Sequence, residues 1–402
     1  MADRQIILFE DELSRTSVFK PLSYAHAIAE LRVGVYTMIE SLTRENIIIH
    51  TRKELAPVIK ERYPNLKVNE VAEGTETILI NARAKNPLEI IDHLISHKKD
   101  HVHIGSGEYV VAARTTKGLP PKMIEKIGQG EVIDIKPTED SSFTLYSSLW
   151  NMIHENPEAI ENDAKQFSKN FTAIDPKQYP GVFIINEKAV SLGKGVSISP
   201  SVVLDASKGS IILDDGVTIQ PHTSLIGPIY IGKNSLVKSG SKIFGGNTIG
   251  PVCKVGGEIE NSIILGYSNK QHDGYLGHSY LGEWCNLGAG TNTSDLRNDY
   301  GNVSVKIENQ NIDTGSMFVG LLMGDHSKSA IGTQFNTGTV VGVHANVFGA
   351  GFPPKWLPNY SWGGSQIMKK QSADKALEVA RIVMKRRGID LSDAETEYYR
   401  SL

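Results

Sequence analysis

His272 is the side chain in this sequence best placed to move a proton. It stands in Asn269-Lys-Gln-His-Asp-Gly-Tyr275, a polar run between aliphatic ones. An imidazole titrating near neutrality can take a proton from an attacking amine, and the glycine-rich turns around it supply backbone N–H groups of the kind that stabilise a tetrahedral oxyanion. Acyl transfer from a thioester needs both. His326, in Met323-Gly-Asp-His-Ser-Lys328, is a second candidate base. Cations for an acidic coenzyme are offered by Lys385-Arg386-Arg387 at the end of an amphipathic segment over 371–387, Arg386 being the candidate contact. The same charges would equally complement a helix dipole, and both readings stand. His93, His97, His101 and His103 cluster in sequence without the Cys or acidic pattern of a metal site, and read as solvated surface. Cys253 and Cys285 are too few for a structural zinc or a disulfide framework.

The elements that must position these groups have an unusual period. Leu213, Ile219, Leu225, Ile231, Val237, Ile243, Ile249 and Val255 stand six residues apart, with earlier members at Leu192, Ile198 and Leu204 and later ones at Ile331, Thr337 and Val343. Hexads of this kind are the mark of a parallel β-helix: one short strand and one corner each, three to a triangular coil, with the aliphatic pointing inward. Gly, Asn, Ser and Asp accept the positive φ that tight corners need. A β-sandwich would alternate with period two and would not hold a strict six. The β-helix is placed at 187–350. Two stretches break the pattern, one between Val255 and Leu281 that contains His272, the other from Thr293 to about 312. A solenoid gains no stability from breaking its repeat, so binding groups are expected there.

Residues 1–180 alternate apolar strands (5–9, 46–50, 77–81, 101–104) with helical patterns (28–43, 53–62, 88–97, 141–165), which predicts an α/β domain on a mostly parallel sheet. Residues 351–402 read as a cap segment, with Phe352–Pro358 and Ser361–Gly364 covering the last coil, followed by the C-terminal helix. The 402 residues carry 42 Lys+Arg against 45 Asp+Glu, a balance that removes the electrostatic reason to expect nucleic acid or an acidic membrane as partner. No apolar run is long enough to cross a bilayer and the first residues lack a secretory h-region, so a cytoplasmic location is expected.

The segment His272-Asp-Gly-Tyr-Leu-Gly-His-Ser-Tyr-Leu-Gly-Glu-Trp-Cys-Asn-Leu-Gly-Ala-Gly-Thr291 resembles, without a gap, the acetyltransferase segment of the bifunctional N-acetylglucosamine-1-phosphate uridylyltransferase / glucosamine-1-phosphate acetyltransferase family. Lys254–Glu258, Tyr267–Lys270, His272–Gly274 and Gly282–Trp284 resemble more closely a variant group of that family with an atypical N-terminal sugar nucleotidyltransferase domain. The resemblance implies a left-handed β-helix, a homotrimer, acetyl-CoA as co-substrate and glucosamine 1-phosphate as acceptor. It implies His272 as general base, Tyr275 as a contact to the sugar phosphate and Asn286 as a contact to the sugar. Lys238 falls where the family holds the phosphate with an arginine, Asp295 where it has an asparagine, and Arg297 near a lysine on a loop reaching a neighbouring subunit. Glu258 joins the substrate side; Ala289 and Gly320 join the coenzyme side.

The same family resemblance in the N-terminal part rests on Arg15-Thr-Ser-Val-Phe-Lys-Pro-Leu22 and Glu30-Leu-Arg-Val-Gly34. It implies uridylyl transfer to the acetylated product, with Arg15, Lys20, Arg32 and Arg83 as nucleotide contacts and Mg2+ if the domain is active. The chain has Glu10-Asp-Glu12 where the family's glycine-rich phosphate loop would stand, and Asn81 near the place of its metal-binding aspartate. The metal ligands stay unassigned. The alternative is a sugar-1-phosphate nucleotidyltransferase alone, with the β-helix as trimerisation scaffold.

Overall fold

The structure, a computed structural model, describes residues 4–42, 45–96, 101–106, 109–130, 143–167 and 172–402. The first sheet has the strand order Lys67–Val68, Ile47–His50, Arg4–Phe9, Glu76–Asn81, Tyr109–Thr115, His101–Ser106. The first three pairings are parallel and the last two antiparallel, so Tyr109–Thr115 alone of these strands runs against the rest. Helices Ala56–Arg62, Pro87–Ser96 and Pro121–Gly128 accompany it, and Ile6, Leu8, Ile78 and Ile80 are buried in its core. The pattern over 28–43 does not make one helix. It folds as a 3-10 turn at Ile28–Glu30, a hairpin of Arg32–Val33 with Tyr36–Thr37, and a short helix at Met38–Ser41. The reason is Gly34, at φ +73°, which packs so close to Asp163 and Ala159 that a Cβ would not fit. The helix expected over 141–165 spans Leu149–Phe167. His93 lays its ring edge on Phe143; His97 lies outside the described residues, and of His101 and His103 only the strand backbone is described.

From Phe183 to Gly363 short parallel strands stack into three sheets, the three walls of a β-helix of the left-handed hexapeptide type. Wall one contains Lys242–Ile243, Glu258–Glu260 and Tyr275–Gly277. Wall two contains Asn247–Ile249, Ile263–Ile264, Tyr280–Leu281 and Leu321–Met323. Wall three contains Leu236–Val237, Lys254–Val255, Asn269–Lys270, Asn286–Leu287 and Lys328–Ser329. Leu192, Ile198, Leu204 and the aliphatics from Leu213 to Val255 form one interior column. Each such side chain, removed from water, contributes on the order of 1.5–3 kcal/mol.

Two features depart from the hexad reading. The stretch after Val255 does not leave the coil; it takes short steps to Ile259 and Ile264 and then resumes through Lys270, Leu276 and Leu281. The lysine disguised the repeat. Downstream, residues 294–320 loop out and carry the hairpin Ser304–Ile307/Gln310–Asp313 without changing the phase: Met323, Ser329 and Phe335 pair with Leu281, Leu287 and Thr293. The inward positions are then Met323, Ser329, Phe335, Val341 and Val347, not Ile331, Thr337 and Val343. Ile331 is 80% exposed and Val343 packs outside the coil against Leu377 and Tyr399.

Trp356–Leu357 and Ser361–Gly363 are strands of the last coil rather than a cover over it. Beside them pack Ala373–Lys385 and a second helix the sequence reading missed, Asp393–Ser401, which starts at a Ser392/Glu395 capping box. Leu149–Phe167 ties the two halves together: Asn156 bonds Gly34 N, Thr248 Oγ1 and Gly246 O.

Candidate active site

His272 is exposed at the corner where wall three turns into wall one. Backbone register fixes its neighbours. Val237, Val255 and Lys270 are in line, so Lys238, Gly256 and Gln271 succeed one another along that corner. One coil further, Gly290 N donates to Asp273 O at 3.0 Å, which sets Ala289 beside the His272 turn. Lys238, His272 and Ala289 therefore share one edge. Asn286 stands on the outer side of wall three, paired with Asn269. Glu258 and Tyr275 are paired on wall one, where Glu258 lies 3.7 Å from Lys242 Nζ.

Several expected roles are revised. Asp295 is 8% exposed and engaged: His278 Nδ1 lies 2.7 Å from its Oδ2, and the Tyr275 hydroxyl donates to the same oxygen at 2.9 Å. Burial works to raise its carboxyl, but those bonds outweigh it and hold the group below the ordinary carboxylate range. Asp295 thus anchors the second excursion to wall one rather than standing free for substrate, and the Tyr275 hydroxyl is spent on it. Arg297 pairs with Asp299 at 2.5 Å within its own turn, and the nearby hairpin docks on this chain's own N-terminal domain, Glu308 taking bonds from Lys20 at 2.6 Å and Tyr24 at 2.8 Å. Gly320 is buried, gives its N–H to His278 O, and has no room for a Cβ against Gly277 O. It is a packing residue, not an accessible coenzyme contact. Arg386 is exposed, but the basic residue that reaches the wall bearing His272 is its neighbour Arg387, 3.1 Å from Asn269 Oδ1. His326 is no base: it is 3% exposed within a corner ladder of stacked Tyr267, Trp284, His326, His344 and Tyr360, where burial pushes its imidazole well below the usual value.

The sequence reading gave no role to Lys270 or His278, and within Lys385-Arg386-Arg387 it chose Arg386 over Arg387. Only the first had a usable signal, since Lys270 sits six residues from both Ile264 and Leu276.

In the N-terminal domain a ligand would be expected beyond the carboxyl ends of the parallel strands, between Arg4–Phe9 and Glu76–Asn81, where the strand order reverses. Arg83 and Asp11 meet there in a buried pair, Nη2 to Oδ2 2.5 Å and Nε to Oδ1 3.0 Å. Glu10 accepts from Thr51 Oγ1 at 2.6 Å and Ile28 N at 3.1 Å, and pairs with Arg52. Arg32 is buried against Glu40 at 2.7 Å; Arg15 is exposed. Both buried acids after the first strand are committed to protein partners, so this place does not fit Mg2+, and no step through it is derived. A cavity of about 310 Å³ lies next to it, lined by Ile28, Tyr36, Ala84, Tyr146 and Asp163. Burial raises the Asp163 carboxyl to about 6.

Among the described residues, the His/carboxylate cluster tight enough to suggest a metal is His26, Glu283 and Asp325. His26 Nε2 lies 2.9 Å from Asp325 Oδ2. Burial pulls His26 down, yet Asp325 and Glu30 outweigh it and raise the imidazole to about 10. A protonated ring has no lone pair for a metal, and the cluster reads as an ion-paired clamp between the two domains.

An α/β nucleotidyltransferase-like domain on a hexapeptide β-helix defines the class: sugar-modifying transferases in architecture. Residues 6–172 match the model of the sugar nucleotidyl transferase family. The chain is a relative of bifunctional sugar-phosphate nucleotidyltransferase/acetyltransferases. It is 30% identical over 147 residues to a bifunctional sugar-1-phosphate nucleotidylyltransferase/acetyltransferase of Sulfurisphaera tokodaii, covering 35% of this chain and 36% of that one. It is 28% identical over 213 residues to the bifunctional protein GlmU of Methanococcus aeolicus, covering 52% and 49%. The chain thus spans about half or less of the length of these curated relatives. A solved Arabidopsis UDP-N-acetylglucosamine acyltransferase superposes with a TM-score of 0.29 at 15% identity, over 52% of this chain and 78% of that one.

Proposed function

We propose that this chain transfers an acetyl group from acetyl-CoA to the amine of a hexosamine 1-phosphate, glucosamine 1-phosphate being the first candidate, and that it works in the cytoplasm as a homotrimer. The observation that carries the reading is the corner itself: an exposed imidazole flanked along one edge by Lys238 and Ala289. The sugar nitrogen attacks the thioester carbonyl, His272 takes the proton the nitrogen sheds, and the C–S bond breaks to release CoA, which leaves with that proton. Lys238 is a point charge for the sugar phosphate, without the bidentate fork of an arginine. Exposed Ile331 (80%), Phe352 (55%) and Trp362 (46%) leave apolar surface that a second copy would cover, which supports a cleft completed by a neighbour. CoA release on mixing acetyl-CoA with glucosamine 1-phosphate tests the activity; no release with any amino-sugar phosphate would refute it.

Uridylyl transfer to the acetylated product is the second activity, favoured by the family match over 6–172. Against an ordinary nucleotide site stand Arg32 and Arg83, both locked to carboxylates. Pyrophosphate release from UTP and N-acetylglucosamine 1-phosphate, with and without Mg2+, decides between a working domain and one kept for assembly.

A further inference from the structure

Lys270 is the anomaly of the β-helix. Its side chain points into the coil between the aliphatic Val255 and Leu287, and it is 2% exposed. Among the described residues its ammonium finds no carboxylate at bonding distance. It donates instead to two backbone carbonyls, Gly256 O at 3.0 Å and His272 O at 2.5 Å. Those carbonyls belong to different coils, so one buried cation staples the His272 turn to the corner above it.

The surroundings are shaped for that staple. A Cβ on Gly257 (φ +75°) would come within 2.8 Å of Lys270 Nζ and 2.7 Å of His272 O; a Cβ on Gly256 would meet Gln271 O at 2.6 Å. Gly274, at φ +121°, presses on Thr291 O, and lets the turn re-enter wall one. Three separate sequence motifs, Lys254–Glu258, Tyr267–Lys270 and His272–Gly274, thereby meet at one atom. Burial lowers the lysine to about 8, with Asp273 opposing. An aliphatic residue would fill this position without that desolvation penalty. A residue that costs stability yet sits under a reactive group is where function is expected to outweigh packing.

We propose that Lys270 is a positioning residue: it holds the His272 carbonyl so that the imidazole projects at a set angle from the corner. This rests on the reading of His272 as the base of acyl transfer. Without the staple the turn 271–274 has only its backbone bonds to the neighbouring coils, and the imidazole samples more orientations. Misplacement of a base by about 1 Å costs on the order of 100-fold in rate.

The test uses the full chain with Lys270→Met and Lys270→Arg. For Lys270→Met the expectation is a fall in kcat for CoA release of 10- to 100-fold, KM for both substrates within three-fold, and an unchanged oligomer; Lys270→Arg, which keeps a donor to the carbonyls, recovers part of kcat. Amide hydrogen exchange, which needs no activity, should quicken in the peptide covering 271–277 of Lys270→Met while the coils around Ile219 and Leu225 keep their protection. A wild-type kcat or unchanged exchange at 271–277 overturns the proposal, as does loss of protection throughout the β-helix. His272→Ala separates the two levels: if it retains full turnover, the base assignment fails, whereas a dead His272→Ala beside a fully active Lys270→Met sinks only the positioning role.

Discussion

The His272 corner and the crevice above the N-terminal sheet are built from similar charged residues and use them in opposite ways. At the corner, His272 and Lys238 carry no ion-pair partner among the described residues, and the one buried cation beneath them bonds backbone oxygens. In the crevice, Asp11 is spent on Arg83 and Glu10 on Thr51 and Arg52. A charge exposed at a corner can act on a substrate; one locked to a buried partner acts only after the pair breaks, which costs several kcal/mol. The partners of each charge are therefore a better guide than a family match to where a substrate could be handled.

The contrast can be broken most decisively at His272. His272→Ala should lower CoA release by 100- to 10,000-fold, the range general bases contribute, with the oligomer intact by light scattering. Next is Arg83→Ala, which on this view strands the buried Asp11 carboxylate and costs about 3–5 kcal/mol in urea unfolding. If instead Arg83→Ala folds as stably as wild type and only raises KM for UTP, the crevice is a nucleotide site and the contrast is wrong.

Two pH dependences of opposite sign sharpen it. His26 is raised to about 10 from an ordinary 6.5. Its contribution is fully present below pH 6.5 and is lost as the pH climbs towards 10. His26→Asn should flatten the decline of the urea midpoint between pH 7 and 9.5. Lys270 is lowered from 10.5 to about 8. Between those values the unfolded chain binds more protons, so wild-type stability rises with pH over that window. Lys270→Met should be more stable than wild type at pH 7, by roughly 2–3 kcal/mol, with the gap closing above pH 8; equal pH slopes for the two proteins would show that the ammonium carries no such cost.

Spacing alone announced the β-helix, because inward aliphatics recur every six residues from Leu213 to Val255 and each must be buried. It also singled out His272, a polar break in that order. It failed where the rule for burial was local. The 28–43 pattern looked helical because spacing cannot see Gly34 pressed against Asp163 and Ala159. Ile331 looked inward as an aliphatic at six-residue spacing from Thr337 and Val343, whereas the pairing of Leu287 with Ser329 puts the inward position two residues earlier.

Composition and period thus determined the architecture, since hydrophobic burial is set by residue type and needs no partner of particular identity. Which charges are free was decided only by the folded chain. Asp11 and Arg83 are 72 residues apart, His26 and Asp325 299. Whether a carboxylate serves a substrate or a neighbouring guanidinium depends on a few ångströms of tertiary placement, and Coulomb and hydrogen-bond energies at such distances have no counterpart in sequence separation.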